Sequence, residues 1–173
     1  MTDRNRAFRG MAAARALSFL RVMTGGIFLI AAAGKMAIHV FAGFLPMPVA
    51  SVGWQLELPA RLAAWLASHP TGTLTAIVRD LLIPNGTLVA GMIAWGQALA
   101  GLLLVLGLYT TLASSLAVLV AVTLAVAASV HGAMDARPYA FLIALSLAFI
   151  VGRAGETFGV DSWRRERRRH REF

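Results

Sequence analysis

The chain has 173 residues, of which 58% are hydrophobic, 14% are charged and none is cysteine. Soluble domains carry roughly a quarter charged residues, so this composition indicates one integral membrane domain and no separate soluble domain. The absence of cysteine excludes disulfides, iron–sulfur clusters, Cys-ligated zinc and thiol chemistry. The formal charge of +8 is clustered beside apolar segments, which predicts contact with anionic membrane lipids and no nucleic-acid partner.

The chain begins with a polar, arginine-bearing arm over residues 1–16. Leu17 to about Phe44 then reads as the first membrane span, which Pro46 and Pro48 end because proline interrupts a helix. A basic start before an apolar run is also typical of a signal peptide, with Ala31–Ala33 as its small-residue cleavage region. Retention of the segment as a span is the working prediction.

Two cations lie inside this predicted span. Arg21 and Lys35 are separated by about 21 Å along a helix, which is less than the ~30 Å thickness of the hydrocarbon layer. One or both must therefore snorkel to the interface or point into the bundle. Lys35 is the only lysine of the chain, and both readings of its side chain, snorkelling and inward, stay open.

Residues 45–84 break the apolar pattern and predict two short amphipathic helices at the outer interface. Trp54 and Trp65 are expected at head-group level, as is typical of interfacial tryptophans. Two roles remain open for this segment, shielding of helix ends and a lid over a lateral opening. The predicted apolar faces consist of Leu58, Leu62, Trp65 and Leu66 in the first helix and Leu74, Ile77, Val78, Leu81 and Leu82 in the second.

Three further spans are predicted at about residues 86–108, 112–130 and 138–152. A short turn at Tyr109–Thr111 makes the second and third spans antiparallel neighbours. Small residues recur every fourth position in the last two spans, which predicts close helix packing in lipid. Those rows are Ala113, Ala117, Ala121, Ala125 and Ser129, and then Ala140, Ala144, Ala148 and Gly152.

A basic tail over residues 156–173 closes the chain and carries six arginines between Arg164 and Arg171. An even number of spans places this tail and the N-terminal arm on one side, which the positive-inside rule makes the cytoplasm. The sequence therefore predicts an all-α integral membrane four-helix bundle over residues 17–155, in a bacterial-type inner membrane, with both termini cytoplasmic. Residues 45–84 then lie outside.

Polar side chains at membrane depth are the candidate functional groups. Lys35 and Gln97 are predicted at similar depth, so they would hydrogen-bond if the first two spans are adjacent. Four more polar residues are placed nearer the outer surface and would line an outward-facing pocket with them: His39, His131, Asp135 and Arg137. No nucleophile–base pair, nucleotide-binding motif or three-ligand metal cluster is recognised, so the sequence contains no catalytic constellation of its own.

Three glycine-rich or apolar features of the chain belong together: RDLLIPNGTLVAGMIAWGQALAGLLLVLGLYTTLA at Arg79–Ala113, the pair Gly34–Lys35 together with Arg21, and GRAGETFGVDSW at Gly152–Trp163. These segments resemble the DoxX/DoxD family of small membrane proteins. The resemblance implies a four-helix transmembrane fold and a membrane subunit near quinone or redox chemistry. Family members include a subunit of an archaeal thiosulfate:quinone oxidoreductase. This chain departs from the family where Gln97 replaces a usual glutamate and Thr111 a usual arginine.

Three functions follow from this reading. The first is an accessory or anchoring subunit of a multi-subunit membrane redox complex, with larger membrane subunits as partners. The second is a component that itself binds quinone, with Lys35, Gln97 and His131 holding the quinone carbonyls. The third is a small transporter or lipid-handling protein. Because the predicted spans contain few buried polar groups, they would form a poor pathway for a solute.

Overall fold

The structure is a computed structural model that describes residues 3–69, 72–129 and 133–152. It is mostly helical, with one small two-stranded sheet near the middle of the chain. The elements in order are α1 (Asp3–Ala33), β1 (Met36–Phe41), β2 (Leu45–Ala50), α2 (Val52–Ser68), α3 (Thr73–Ile77), a π-helical turn (Val78–Leu82), α4 (Gly86–Leu106), α5 (Thr110–Ala128) and α6 (Ala133–Val151).

Three helices in the described part of the chain are long and apolar enough to cross a membrane. They are the Ala13–Ala33 part of α1 and the whole of α4 and α5. The predicted second and third spans are α4 and α5, with ends that differ by about two residues, as is usual for helix boundaries. The predicted fourth span falls on α6, which carries Asp135 and Arg137 at its start and is not among the three helices.

The surface of the long helices is far more apolar than that of a soluble protein. Large apolar side chains point outward along the long helices, with Ile30 76% exposed. Polar side chains are buried between the helices, including Ser18, Arg21, Thr24 and Gln97. Water would penalise this exposed apolar surface, whereas hydrocarbon accepts it. The arrangement indicates a membrane protein.

α1 and α4 approach each other until their backbones touch. A Cβ atom at Gly25 would lie 2.8 Å from the Gly101 carbonyl oxygen, and one at Gly101 would lie 2.8 Å from that of Gly25. Glycine is therefore required at both positions, because any side chain would force the two helices apart. This crossing brings Phe28 of α1 into the core beside the buried face of α4.

The two rows of small residues behave differently. On α5, Ala113, Ala117 and Ala121 are fully buried, which agrees with the predicted packing role. On α6, Ala140, Ala144 and Ala148 are exposed, so the predicted packing row on this helix is wrong within the chain. α6 instead buries Ser146 and Phe149, because its opposite face packs against α5.

The first helix differs from its prediction at both ends. It begins at Asp3, so residues 3–16 of the predicted arm are helical and continuous with the span. It ends at Ala33 and not at about residue 44. Residues 36–50 form an antiparallel β-hairpin that includes Pro46 and Pro48 in its second strand. The residues of this hairpin are as apolar as a span, so hydropathy alone does not separate the two structures.

The segment between the hairpin and α4 covers the end of the bundle at which the hairpin lies. α2 buries Trp54, Leu58, Leu62 and Trp65, as predicted for its apolar face except that Leu66 is half-buried. Both tryptophans are packed inward, and Trp54 Nε1 donates to the Ala90 carbonyl of α4 at 3.0 Å. Their position at head-group level stays a prediction. The predicted second helix is α3 and the π-helical turn.

The predicted apolar face of this second helix is wrong in most of its members. Only Val78 of that face is fully buried, whereas Leu74, Ile77 and Leu81 are exposed. Thr75 is buried instead and donates from Oγ1 to the His69 carbonyl at 2.9 Å. α3 is only five residues long and its Thr75 faces inward, so the apolar face that the sequence predicts across both elements is not formed.

The opposite end of the bundle holds the start of the span in α1, the α4–α5 turn and the end of α6. Gly107 ends α4 in the left-handed conformation at φ 65°. The guanidinium of buried Arg21 packs against Gly107, 2.7 Å from the position that a Cβ atom would take. Arg21 therefore points into the protein beside the carbonyl end of α4, where a cation is favourable. Leu17 contacts Gly152 at this same end.

We expect Gly101→Ala to destabilise the folded protein in lipid or mild detergent by about 1–3 kcal/mol, the usual cost of overpacking. The cause is the 2.8 Å approach of the new Cβ atom to the Gly25 carbonyl. Equilibrium unfolding in mixed micelles measures the change. Gly91→Ala on the same helix is the matched control, because nothing lies within 4 Å of its new Cβ atom. Equal stability of the two variants would contradict backbone contact between α1 and α4.

Candidate functional site

Two adjoining cavities open between the helices at the hairpin end of the bundle. The inner cavity has a volume of about 260 Å³ and lies between α1, α4 and α6. The outer cavity has a volume of about 570 Å³ and lies between α1, α2 and α5. Ala31, Lys35 and Tyr139 line both, so the two cavities meet at these side chains. Together they reach the ~300–1,000 Å³ that is typical of small-molecule sites.

Lys35 stands at the junction of the two cavities. It lies directly after α1, and its Nζ donates a hydrogen bond to the Ala31 carbonyl at 3.0 Å. The last carbonyls of a helix have no partner within the helix and carry partial negative charge, so they attract a cation. The Nζ atom also lies 5.1 Å from the centre of the Trp54 ring, within range of a cation–π interaction. These contacts hold the amine over the cavity.

Gln97 supplies the polar wall of the inner cavity. Its side chain is 2% exposed, and it lines the cavity together with Phe28, Lys35 and Tyr139. Gln97 Oε1 is buried and accepts no hydrogen bond from the described residues. A buried amide oxygen without a partner costs about 1–3 kcal/mol. The wall of the inner cavity therefore contains an amide oxygen that has no partner among the described residues.

The outer cavity has a charged rim. Glu57 and Arg61 line it from successive turns of α2 and form an ion pair with each other. Ser51 and Trp54 line the same cavity from the start of α2, where Ser51 caps the helix by accepting from the Trp54 backbone N–H. The pair is partly exposed, so its net contribution to stability is small. Its effect on the site is electrostatic, because both charges lie near Lys35.

The environment of Lys35 lowers the pKa of its amine from the ordinary value of 10.5. Burial is the largest cause, because it disfavours the charged form. The carboxylate of Glu57 opposes this shift and raises the pKa, and the guanidinium of Arg61 adds to the lowering. Deprotonated amine is therefore present at lower pH than for a lysine in water. The neutral amine offers a ligand a lone pair, which the ammonium ion lacks, whereas the ammonium ion offers three N–H donors.

The three residues predicted for a ligand site have different outcomes. Lys35 and Gln97 line the same cavity, although Lys35 follows the end of its helix and does not lie within the span. His131 lies outside the described residues, so its role stays a prediction. Among the other polar residues that were expected near this surface, Asp135 lines the inner cavity. His39 is exposed on the hairpin.

Among the lining residues that sequence reasoning missed are Trp54, Glu57, Arg61 and Tyr139. The first three recur at three- and four-residue spacing on one side of α2, which is the sequence signal of a shared helix face. That signal was assigned to a membrane interface because α2 was expected to lie on lipid. Tyr139 lies one helical turn after Asp135 and was included in a span without a specific role.

A comparison with protein-family models, with curated proteins and with solved structures finds no match for this chain. The functional argument therefore depends on the cavity and on the chemistry of the residues that line it. Within the described ranges, no three His, Asp or Glu side chains converge in a group that could hold a metal ion.

Acylation of Lys35 tests this description of the site, because Lys35 is the only lysine of the chain. We expect the pH midpoint of acylation at Lys35, followed by peptide mass spectrometry, to fall below 10.5. The variant Glu57→Gln should lower the midpoint further, because it removes the carboxylate that stabilises the ammonium ion. As a control, Lys35→Arg combined with Arg79→Lys moves the lysine to an exposed position beside Asp80. A Lys35 midpoint equal to or above that of this control would contradict the buried site.

Proposed function

We propose that this chain is an integral membrane subunit of a redox complex and that it holds the head group of a quinone or quinol in the Lys35–Gln97 cavity. The observation that carries the proposal is the buried Gln97 amide, whose oxygen has no hydrogen-bond partner among the described residues, in a residue that lines a cavity shared with Lys35. The membrane environment implied by the three apolar helices supplies lipid-soluble ligands by lateral diffusion.

The residue types along the cavity match a flat ring with oxygen atoms at opposite ends. Gln97 has both a donor and an acceptor, so it serves a quinone carbonyl with its N–H and a quinol hydroxyl with its oxygen. Lys35 offers N–H donors to a carbonyl oxygen at the other side of the inner cavity. Phe28 and Tyr139 line the space between them, and aromatic walls favour a planar ring. The residues here bind and orient the head group, and the electrons come from other subunits.

We also propose that α6 is a fourth crossing and that both termini are cytoplasmic. The contact of Leu17 with Gly152 supports this topology, since it places the start of the first span and the end of α6 at one end of the bundle. Arginines of the amino-terminal helix and of the tail then lie on the cytoplasmic side of a bacterial-type inner membrane. Arg61 and Arg79 lie on the other side, with the cavity opening toward that side.

A purely anchoring role is the second candidate, and the resemblance to DoxX-like subunits is what favours it. An anchor needs apolar helices and a partner surface but no polar cavity. The two candidates make different predictions for the isolated chain, because only the ligand-binding subunit should retain quinone after the partner subunits have been removed. A transporter would move solute across vesicles that contain this chain alone.

Binding of a short-chain benzoquinone to the purified chain in lipid nanodiscs tests the proposal. We expect saturable quenching of tryptophan fluorescence, because Trp54 lines the outer cavity, which adjoins the Lys35–Gln97 cavity. Gln97→Leu should weaken binding by about tenfold, since loss of a buried hydrogen bond costs on the order of 1–2 kcal/mol and 1.4 kcal/mol is a factor of ten.

Ser114→Ala is the matched control for this experiment. Ser114 is fully buried and its Oγ has no hydrogen-bond partner among the described residues, but it lines neither cavity. The affinity of this variant should equal that of the unmodified chain. Absence of saturable binding, or equal affinity for Gln97→Leu, would contradict the proposal and leave the anchoring role.

A further inference from the structure

The β-hairpin between α1 and α2 has apolar side chains on both of its faces. Strand pairing places Ile38 opposite Pro48 and Val40 opposite Pro46 on one face, and His39 opposite Met47 on the other. Side chains on the two faces are exposed, with Ile38 78% and Met47 45% exposed. From residue 36 to residue 50 the sequence contains no charged side chain, and His39 is the only polar one.

Only the base of the hairpin packs against the protein. Ala50 is buried, and Met36 is partly buried against the core. The Ser51 backbone N–H donates to the Lys35 carbonyl at 2.9 Å and closes the base. At the tip, Ala42 and Gly43 adopt positive φ angles of 53° and 79°, and the following Phe44 is 79% exposed. The rest of the hairpin therefore projects from the end of the bundle with its apolar surface uncovered.

A protein partner and a membrane would cover this surface differently. Docking on a groove covers one face of a hairpin and leaves the other in water, where exposed apolar residues are unfavourable. Lipid covers both faces at once. The apolar surface is also continuous with the exposed side of α1, where Ile27 and Ile30 precede the hairpin. The distribution of apolar side chains thus favours lipid as the occupant.

The backbone of the hairpin determines how deep it can lie. The outer edges of two paired strands carry N–H and C=O groups without partners, and such edges do not occur in the hydrocarbon core. Ser51 and Lys35 form a hydrogen-bonded pair at the base of the hairpin. In this register the backbone groups of every second residue of β2, among them Pro46 and Pro48, point away from β1 toward the outer edge. Proline has no N–H, so two edge donors are absent. Such an edge suits the shallow interfacial layer, where head groups and water reach the remaining groups.

We propose that the hairpin of residues 36–50 is a membrane-insertion element that lies in the interfacial layer of the leaflet beside the cavity mouth, with both faces in contact with lipid. The hairpin joins the bundle at Lys35 and Ser51, which line the outer cavity. Its insertion fixes the level of the cavity relative to the lipid head groups. A lipid-soluble ligand then enters from the bilayer and not from water.

The chain has no native cysteine, so a single introduced cysteine can be labelled with a probe at a chosen position. Phe44→Cys is labelled with an environment-sensitive fluorophore, and the purified full chain is reconstituted in phosphatidylcholine–phosphatidylglycerol vesicles. We expect a blue-shifted emission and loss of fluorescence with lipids that carry a spin label near the head group. Lipids labelled deep in the acyl chain should quench less. Met23→Cys is the control for a deep position, since Met23 is exposed and lies at the middle of the Ala13–Ala33 span, and its quenching should show the opposite order.

Charge substitutions on each face separate lipid contact from protein docking. Ile38→Glu and Met47→Glu lie on opposite faces, and each should reduce quenching of the Phe44 probe while the unfolding midpoint of the bundle stays unchanged. Emission typical of water in these protein-only vesicles would overturn the proposal. The same result combined with shielding in native membranes would also overturn it, because a protein partner would then cover the hairpin.

Discussion

Lipid as solvent is the constraint on which the rest of this structure depends. Hydrocarbon offers no hydrogen bonds, so each polar group in a span must find a partner within the bundle. α4 is an example of this arrangement. Its Leu88, Met92, Trp95 and Leu99 side chains point outward, whereas Gln97 and small residues face inward. The same rule makes the interior polar enough to hold a functional group. A buried polar group without a partner is costly, so a ligand that supplies the missing hydrogen bond is bound favourably there.

Close packing and the cavity are linked through one helix. α1 contacts α4 backbone to backbone at Gly25 and Gly101, two to three turns before its end at Ala33. Beyond this crossing the helices and the α2 segment diverge enough to leave the two cavities. Lys35 lies where α1 ends. The turn that ends the helix therefore also determines the position of the amine and of the cavity mouth. The Gly34–Lys35 turn therefore contributes to both fold and site.

The sequence predicts the apolar helices well because length and hydropathy decide them. α4 and α5 lie close to the predicted spans, since their apolar runs are bounded by Asn85, Gly107 and Ser129. The hairpin was not predicted, because MAIHVF and LPMPVA continue the apolar run of α1, and the preceding Gly34 was included in the span. The inward direction of Trp54 and Trp65 was also missed. An amphipathic helix has the same pattern whether its apolar face meets lipid or the end of a bundle.

The candidate site was predictable only in part. Gln97 and Lys35 stand out in an apolar sequence, and both reach the same cavity. Glu57 and Arg61 line the adjoining outer cavity and Tyr139 lines both, and the residue spacing on α2 does not tell which neighbours that helix face meets. The burial of Arg21 against Gly107 is likewise a tertiary contact, because it depends on how α1 meets the α4–α5 turn.

A cysteine scan of α4 from Leu88 to Leu102 with nitroxide labels tests the central claim most directly. Accessibility to oxygen, which concentrates in lipid, is compared with accessibility to a water-soluble nickel complex in reconstituted vesicles. The account predicts oxygen maxima at Leu88, Met92, Trp95, Leu99 and Leu102 and a minimum for both reagents at Ile93 and Ala94. Gly101 is left out of the scan, because any side chain there would force α1 and α4 apart. High accessibility of the outward positions to the nickel complex would show that water and not lipid surrounds this helix, and would contradict the account.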